Sequence, residues 1–423
     1  MSETIADSVT FDIVMMLKSL SSTPSKPSMF RVGDHLRSIN PEAYDPKIIA
    51  IGPFHRGKPN LQKMEQHKVR YLKLFLKRGQ GSSVERYVTT IIQYKDRARK
   101  CYDEDIHLDD DEFVKMLILD GCFIVEFLLK YQHIVCMDRD DPIFRYGHIL
   151  NQLFHDLMLF ENQIPFFIVD CLFNMISEGE GDDIKSLMWP LPQNSIFPVR
   201  REDLSEVPIN AHHLLGIVHY IQCSSFVRNS SDPHIVVNIN SAVELEKAGI
   251  SFQKRKGDSF FHIEFENKVM KIPKWKISDS TESLFRNLIA YEHYDTDSPQ
   301  KCVTDYVFFM HCLVHSPEDA EVLQRSGIIS NFLGSEEMVY RVINRLGKSI
   351  TGSDEFPYSR IFSDVNDHCA KIRNRWIATL KQEYFDNPWT AISVFAAITL
   401  LVLTITQTAF AILSYRDDLI NRD

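Results

Sequence analysis

Residues 113–130 read FVKMLILDGCFIVEFLLK, and this stretch decides how the rest of the chain is arranged. Wound as a helix it is apolar nearly all round, and such helices lie at the centre of a fold. Lys115, Asp120 and Glu126 interrupt it, so it is not read as a membrane span. The preceding residues, 101–112, read CYDEDIHLDDDE. A calcium-binding EF-hand loop needs Gly at its sixth place and Glu at its twelfth. Counted from Asp103, those places hold Leu108 and Val114, so that chemistry fails. The stretch suits a helix start instead. Asp109 can cap, Glu112 follows three residues on, and the carboxylates favour the positive helix end.

The expected partner of this helix is residues 153–173, LFHDLMLFENQIPFFIVDCLF. Pro165 has no donor N–H, so it should start a new helix or kink this one. Glu161, Asn162 and Gln163 then fall at the break between two very apolar flanks. Together with Asp120 they make the most informative polar cluster in the chain. Carboxylates and amides in apolar surroundings must be hydrogen-bonded or shift their pKa. Two roles stay open. Asp120 and Glu161 are candidate catalytic groups, one serving as a general acid for a membrane-bound hydrolase. Alternatively the cluster is a structural knot that bridges two buried helices, which is the commoner fate of such groups.

Residues 1–28 are read as a flexible lead-in ending in SSTPSKPS, and residues 29–386 as a globular body. From 61 to 78 the pattern is helical. Leu61, Met64, Leu72, Phe75 and Leu76 can share a side, while Lys63, Lys68, Arg70, Lys73, Lys77 and Arg78 decorate the rest. This predicts a solvated outer helix on a core, although a basic amphipathic helix can also lie on anionic lipid. Residues 177–210 are loop-like. Within 234–276 a short helix at 244–248 precedes strands at 250–253, 260–264 and 269–272. Helical patterning resumes from Ser283, in LFRNLIAYE, VFFMHCLVH and EMVYRVINRL. The fold class expected is a mainly α-helical (α+β) body with a small antiparallel β-meander, plus one C-terminal transmembrane helix.

That last helix is residues 390–413, TAISVFAAITLLVLTITQTAFAIL, without a charge and flanked by Trp389 and Tyr415. An uncharged run of this length can span a bilayer. Residues 414–423 form a short polar tail. Glu3, Asp7 and Asp12 argue against a secretory leader. Lys371, Arg373, Arg375 and Lys381 precede the run, whereas Arg416 and Arg422 follow it. The expectation is therefore a tail-anchored protein in plasma membrane or endomembrane, with membrane lipid as a partner and the body in the cytosol. There the sequon at Asn229 would stay unmodified. Ser393, Ala397, Thr404, Gln407, Thr408 and Ala411 recur along one side, which suits either a partner helix or plain lipid contact.

The chain is acidic overall, with a formal net charge of -10, so bulk electrostatics give no reason to expect nucleic acid. Its eight cysteines are scattered with no CxxC and read as buried free thiols. There is no GxxxxGK[ST], GxGxxG or GxSxG. Gly52 and Gly57 flank Pro53 and suit a rigid turn. His311 and His315 lie at i and i+4 with Cys312 between them, half of a zinc pattern that lacks its Glu. His212-His213 and His368-Cys369 are adjacent residues that point apart. No metal or cofactor is expected from these patterns.

Several long motifs resemble one family across nearly the whole chain, the plant family called domain of unknown function 247. They are IGPFHRG (51–57), LQKMEQHKVRYLKLFL (61–76), DEFVKMLILDGCFIVEF (111–127) and DLMLFENQIPFFIVDCLF (156–173). AVELEKAGISF (242–252), NLIAYE (287–292) and YFDNPWTAIS (384–393) follow in order. Phe30-Arg31-Val32-Gly33 departs from the family's usual entry. The resemblance implies a plant protein with a C-terminal membrane anchor and no established enzymatic activity. It also implies a recognition or signalling role, since some relatives are pollen-side determinants of self-incompatibility in grasses, alongside secreted stigma proteins. No residue-level site comes with it.

Overall fold

Residues 113–130 lie within helix α3 (Asp110–Tyr131), which follows α1 (Gln62–Arg78) and α2 (Val84–Arg99). The computed structural model describes residues 10–11, 13–15, 27–79, 83–135, 141–177, 184–188, 212–224, 226, 238–257, 259–295, 301–371 and 388–420. Helix α3 starts as the acidic stretch requires, with the Asp109 side chain accepting from the Glu112 amide at 2.8 Å. From Phe113 onward every residue to Lys130 except Lys115 is buried. Helices α1 and α2 pack on it, as does α5 (Phe166–Asn174), which follows α4 (Gly147–Leu157) after an eight-residue break. Pro165 sits at the start of α5, as its missing N–H demands. The α3–α5 contact is close because α3 carries Gly121, where a Cβ would come within 2.4 Å of Leu172 Cδ1.

The second half is also mainly helical. It comprises α6 (Leu214–Cys223), α7 (Ala242–Lys247), α8 (Thr281–Tyr294), α9 (Cys302–Leu313), α10 (Pro317–Arg325), α11 (Glu336–Gly347) and α12 (Ser359–Ala370). One contiguous set of buried apolar side chains runs from Met29 to Val365 and joins both halves.

The expected antiparallel meander is corrected. Strands β1 (Ser251–Arg255), β2 (Glu264–Glu266) and β3 (Val269–Pro273) form a mixed sheet in the order β1-β3-β2. Only β2 and β3 are antiparallel, joined by a tight turn with positive φ at Asn267 and Lys268. Strand β1 runs parallel to β3, with Ser251 opposite Val269. Phe260 and Phe261, expected in a strand, form a turn instead, where both rings are buried against Tyr306, and pairing resumes only at Glu264. Strand β4 (Trp275–Ile277) pairs in parallel with the distant β5 (Ile329–Asn331) around the buried Trp275.

The transmembrane helix is corrected as well. Among the described residues no helix is long and apolar enough to cross a membrane. The single-pass tail anchor and the plasma-membrane or endomembrane placement expected from it are not supported. Residues 390–413 are instead the middle of a 33-residue helix, Pro388–Ile420 (α13). The helix continues through Arg416, Asp417 and Asp418, and the run itself is diluted by polar residues. Thr399, Thr404, Thr406 and Thr408 turn their hydroxyls back onto carbonyls of their own helix, at 2.5–2.8 Å. Ser393, Ala397, Thr404, Gln407, Thr408 and Ala411 are exposed along it.

Candidate functional site

The charges that interrupt α3 are each answered by a partner. Glu126 takes two hydrogen bonds from Arg78 of α1, at 2.8 and 2.9 Å. Lys130 meets Asp141 at 2.6 Å, and the Tyr71 hydroxyl donates to the same carboxylate at 2.8 Å. Asp120 lies 2.6 Å from Lys68 Nζ and accepts the Gly52 amide at 2.8 Å. Lys68 therefore does not decorate a wet face, as its residue type suggested. It is fully buried and also donates to the Ala50 carbonyl at 2.5 Å.

The break between α4 and α5 supplies the other side of the site. Asp156, at the end of α4, accepts the amides of Lys47, Ile48 and Ile49 at 2.7–3.0 Å. Asn162 accepts the Ile51 amide at 2.7 Å and donates to the Ile49 carbonyl at 3.1 Å. Gln163 donates to the carbonyls of Leu157 and Leu159, both at 2.8 Å, which caps the broken helix. Glu161 accepts the Val32 amide at 2.6 Å and pairs with Arg37 at 2.6 Å, and His55 Nε2 lies 3.4 Å away. Extended residues 47–52, too irregular to pair in a sheet, thus have their backbone groups bonded by side chains. Gly52 is required here. Its φ is 77°, and a Cβ would stand 2.2 Å from the Gln163 carbonyl oxygen. Gly57, at φ 86°, closes the turn expected around Pro53.

The electrostatics follow from these contacts. Burial alone would raise Glu161, but the His55 imidazole beside it, the Arg37 guanidinium and the Val32 amide outweigh it and hold the carboxyl at about 2. Glu161 is thus ionised near neutrality and has no proton to deliver. Burial pushes Asp120 above the usual carboxylate range, against the opposing pull of Lys68 and the Gly52 amide. Asp120 and Glu161 are both buried and both engaged by protein groups, but through separate partners: Lys68 and the Gly52 amide for Asp120, and Arg37, His55 and the Val32 amide for Glu161. Sequence reading missed Lys68, Arg37 and His55 as their partners. A signal for Lys68 existed: Met64, Lys68, Tyr71 and Phe75 are the buried stripe of α1 at helical spacing.

A second polar cluster lies apart from the first. His219 and Cys223 stand at i and i+4 on α6, Glu292 lies near the end of α8, and Cys302 begins α9. All four are buried, and one ligand atom from each lies within 4.8 Å of the others. His219 Nε2 is 2.7 Å from Glu292 Oε1 and 3.5 Å from Cys223 Sγ. Cys302 Sγ is 3.9 Å from His219 Nε2 and 3.7 Å from Glu292 Oε1. The amides of Val303 and Thr304 and the Thr304 hydroxyl fix Glu292 at 2.6–2.8 Å. Cys223 and Cys302 are joined as a disulfide, so the expectation of free thiols fails for this pair, while Cys101, Cys122, Cys171, Cys312 and Cys369 are free. The one sequence signal was His219-x-x-x-Cys223; the other two residues come from separate helices.

The weaker metal candidates do not converge. The rings of His311 and His315 are 6.4 Å apart, and among the described residues no third ligand joins them. His213 caps α6 through Nδ1, and His368 contacts the Ala248 carbonyl. Asn229 lies outside the described residues.

The architecture is a helical body with two small sheets, organised on a buried helix and a side-chain-bonded extended segment. Residues 29–403 match the family described as plant protein of unknown function, DUF247, and the chain belongs to that family. It is 31% identical over 418 residues to UPF0481 protein At3g47200 of Arabidopsis thaliana, covering 92% of this chain and 87% of that protein. It is 22% identical over 480 residues to the putative UPF0481 protein At3g02645 of the same plant, covering 90% and 89%. No solved structure matches.

Proposed function

We propose that the chain acts by recognising another protein, as an interaction or signalling component without a catalytic step of its own. The observation that carries this is the outer face of α1. Val69 is 56% exposed, with Leu72 and Leu76 beside it at i+3 and i+7. Lys73 and Lys77 flank them, and together the five line an open groove of about 580 Å³. An apolar strip with a basic rim, on a chain of net charge -10, fits an amphipathic helix that carries acidic residues. Self-incompatibility-type recognition is one setting for such a contact and adds no residue to it. The hydrolase alternative draws no support from Asp120 and Glu161, whose carboxylates are buried and held by protein donors.

The test is a fluorescence-anisotropy titration of the full chain with labelled amphipathic helical peptides. An acidic peptide should bind saturably, its basic counterpart should not, and Val69→Asp should weaken binding at least about tenfold with the fold intact. Equal binding of both peptides, or none of either, would overturn the proposal.

A further inference from the structure

The buried cluster on α6, α8 and α9 contains more polar chemistry than a disulfide needs. A disulfide is an apolar link that requires neither an imidazole nor a carboxylate beside it. Here both are present, fully buried and in contact with the sulfurs. The donor set is the one Zn(II) selects: two sulfurs, one imidazole nitrogen and one carboxylate oxygen. Zinc bonds of about 2.0–2.3 Å at tetrahedral angles place ligand atoms about 3.3–3.8 Å apart. Cys223 Sγ to His219 Nε2 is 3.5 Å, Cys302 Sγ to Glu292 Oε1 is 3.7 Å and Cys302 Sγ to His219 Nε2 is 3.9 Å, whereas the hydrogen-bonded His219 Nε2 and Glu292 Oε1, 2.7 Å apart, must open to admit the ion. The Cα atoms of the two cysteines are 6.3 Å apart, near the wide end of disulfide spacing. Side-chain rotation can therefore part the sulfurs without moving the helices.

We propose that, with Cys223 and Cys302 as thiols, this cluster holds one Zn(II) ion on Cys223 Sγ, Cys302 Sγ, His219 Nε2 and Glu292 Oε1. Binding releases the two thiol protons to solvent, moves the proton shared by His219 Nε2 and Glu292 Oε1 to His219 Nδ1 so that Nε2 is free to bind, and leaves the oxidation state of sulfur and metal unchanged. The surroundings suit the charge that results. Two thiolates and a carboxylate exceed the ion's charge by one, and the Val303 and Thr304 amides at the start of α9 already face Glu292 at 2.8 Å. Those same bonds aim the carboxylate before the ion arrives, the usual work of groups behind a ligand. The ion would tie α6 to the α8–α9 junction, which the disulfide otherwise links. Disulfide and zinc site are then mutually exclusive states of one place.

The full chain, expressed with zinc and purified in a phosphine reductant, tests this. The phosphine takes oxygen from water as it cleaves any disulfide, leaving two thiols and phosphine oxide. Mass spectrometry of the dialysed protein should find about one zinc per chain. Cys223→Ser and His219→Ala should lower this at least about tenfold, whereas Cys101→Ser should not. Cobalt loading of the wild-type chain gives a second readout that needs no variant. It should yield intense visible bands of tetrahedral cobalt and a near-ultraviolet thiolate charge-transfer band. Reduced, folded wild-type protein that binds neither metal would overturn the proposal and leave a structural disulfide. Zinc retained by a Cys223→Ser/Cys302→Ser double variant would overturn it too.

Discussion

Lys68 Nζ lies 2.6 Å from Asp120 Oδ1, and neither side chain is open to solvent. Removing one member of a buried pair strands the other, at a cost of about 3–5 kcal/mol. Lys68→Ala should therefore lower stability by about that amount, read as a shift of the urea unfolding midpoint. Lys68→Met combined with Asp120→Asn should recover part of the loss, because Asn still accepts the Gly52 amide and carries no charge. If the double variant is as unstable as the sum of its parts, the pair is not coupled.

Gly52→Ala tests the close approach of residues 47–52 to the α4–α5 break. The methyl meets the Gln163 carbonyl, at a φ that L residues rarely adopt. The expected loss is on the order of 2–4 kcal/mol. Gly147→Ala is the control, since a Cβ there meets nothing within 4 Å.

Glu161 gives the fold an acid-sensitive component. Its carboxyl sits at about 2 in the folded chain against an ordinary 4.5. A depressed carboxyl contributes stability that is fully present above the unfolded value and is lost as pH falls through the folded one. The contribution, about 3 kcal/mol, should thus fade between about pH 4.5 and pH 2. Glu161→Gln should be less stable than wild type at pH 6, and the gap should narrow across that window. A gap that does not change with pH would assign the loss to packing.

His213 acts over a higher range. Burial, aided by the neighbouring His212, holds its imidazole at about 3, and its Nδ1 accepts the Gly216 amide at 3.2 Å. The unfolded chain protonates this ring near its ordinary 6.5, so stability falls from there toward pH 3, by up to about 5 kcal/mol. His213→Asn keeps an acceptor at the cap and removes the titration. Its unfolding free energy should be flatter than wild type between pH 6.5 and pH 4, which thermal unfolding across a pH series checks.

Much of the first half was legible in the residues. Residues 113–130 announce a central helix because no face of them is polar, and Pro165 marks a break because it cannot donate. Asp120 and Glu161 could be named as polar centres for the same reason: nothing near them in sequence can solvate them. Their partners were hidden for a different one. Sorting α1 by residue type sent Lys68 outward, although its position on the helical period is inward with Met64 and Tyr71. The crossover before β2 is not legible locally, because the ring that Phe260 and Phe261 pack on, Tyr306, is more than forty residues away. Residues 390–413 have the length, the lack of charge and the flanking aromatics of a span, yet among the described residues no helix is long and apolar enough to cross a membrane. The His219 cluster is not legible locally, since α6 meets the α8–α9 junction across 73 to 83 residues of sequence.

The bonds that hold residues 47–52 also constrain how the chain can be made. They join residues 107–113 positions apart from Asp156 and Asn162, and Ala43 is held by Asn287 across 244. Lys68 and Asp120 reach Ala50 and Gly52 from 18 and 68 positions away, but during synthesis the amides of residues 47–49 and 51 are left to water until the α4–α5 break has left the ribosome. Closing such long loops costs entropy before any contact repays it, so this centre should form late and set the pace of folding. A nascent chain truncated before Asp156 is then the species most in need of a chaperone.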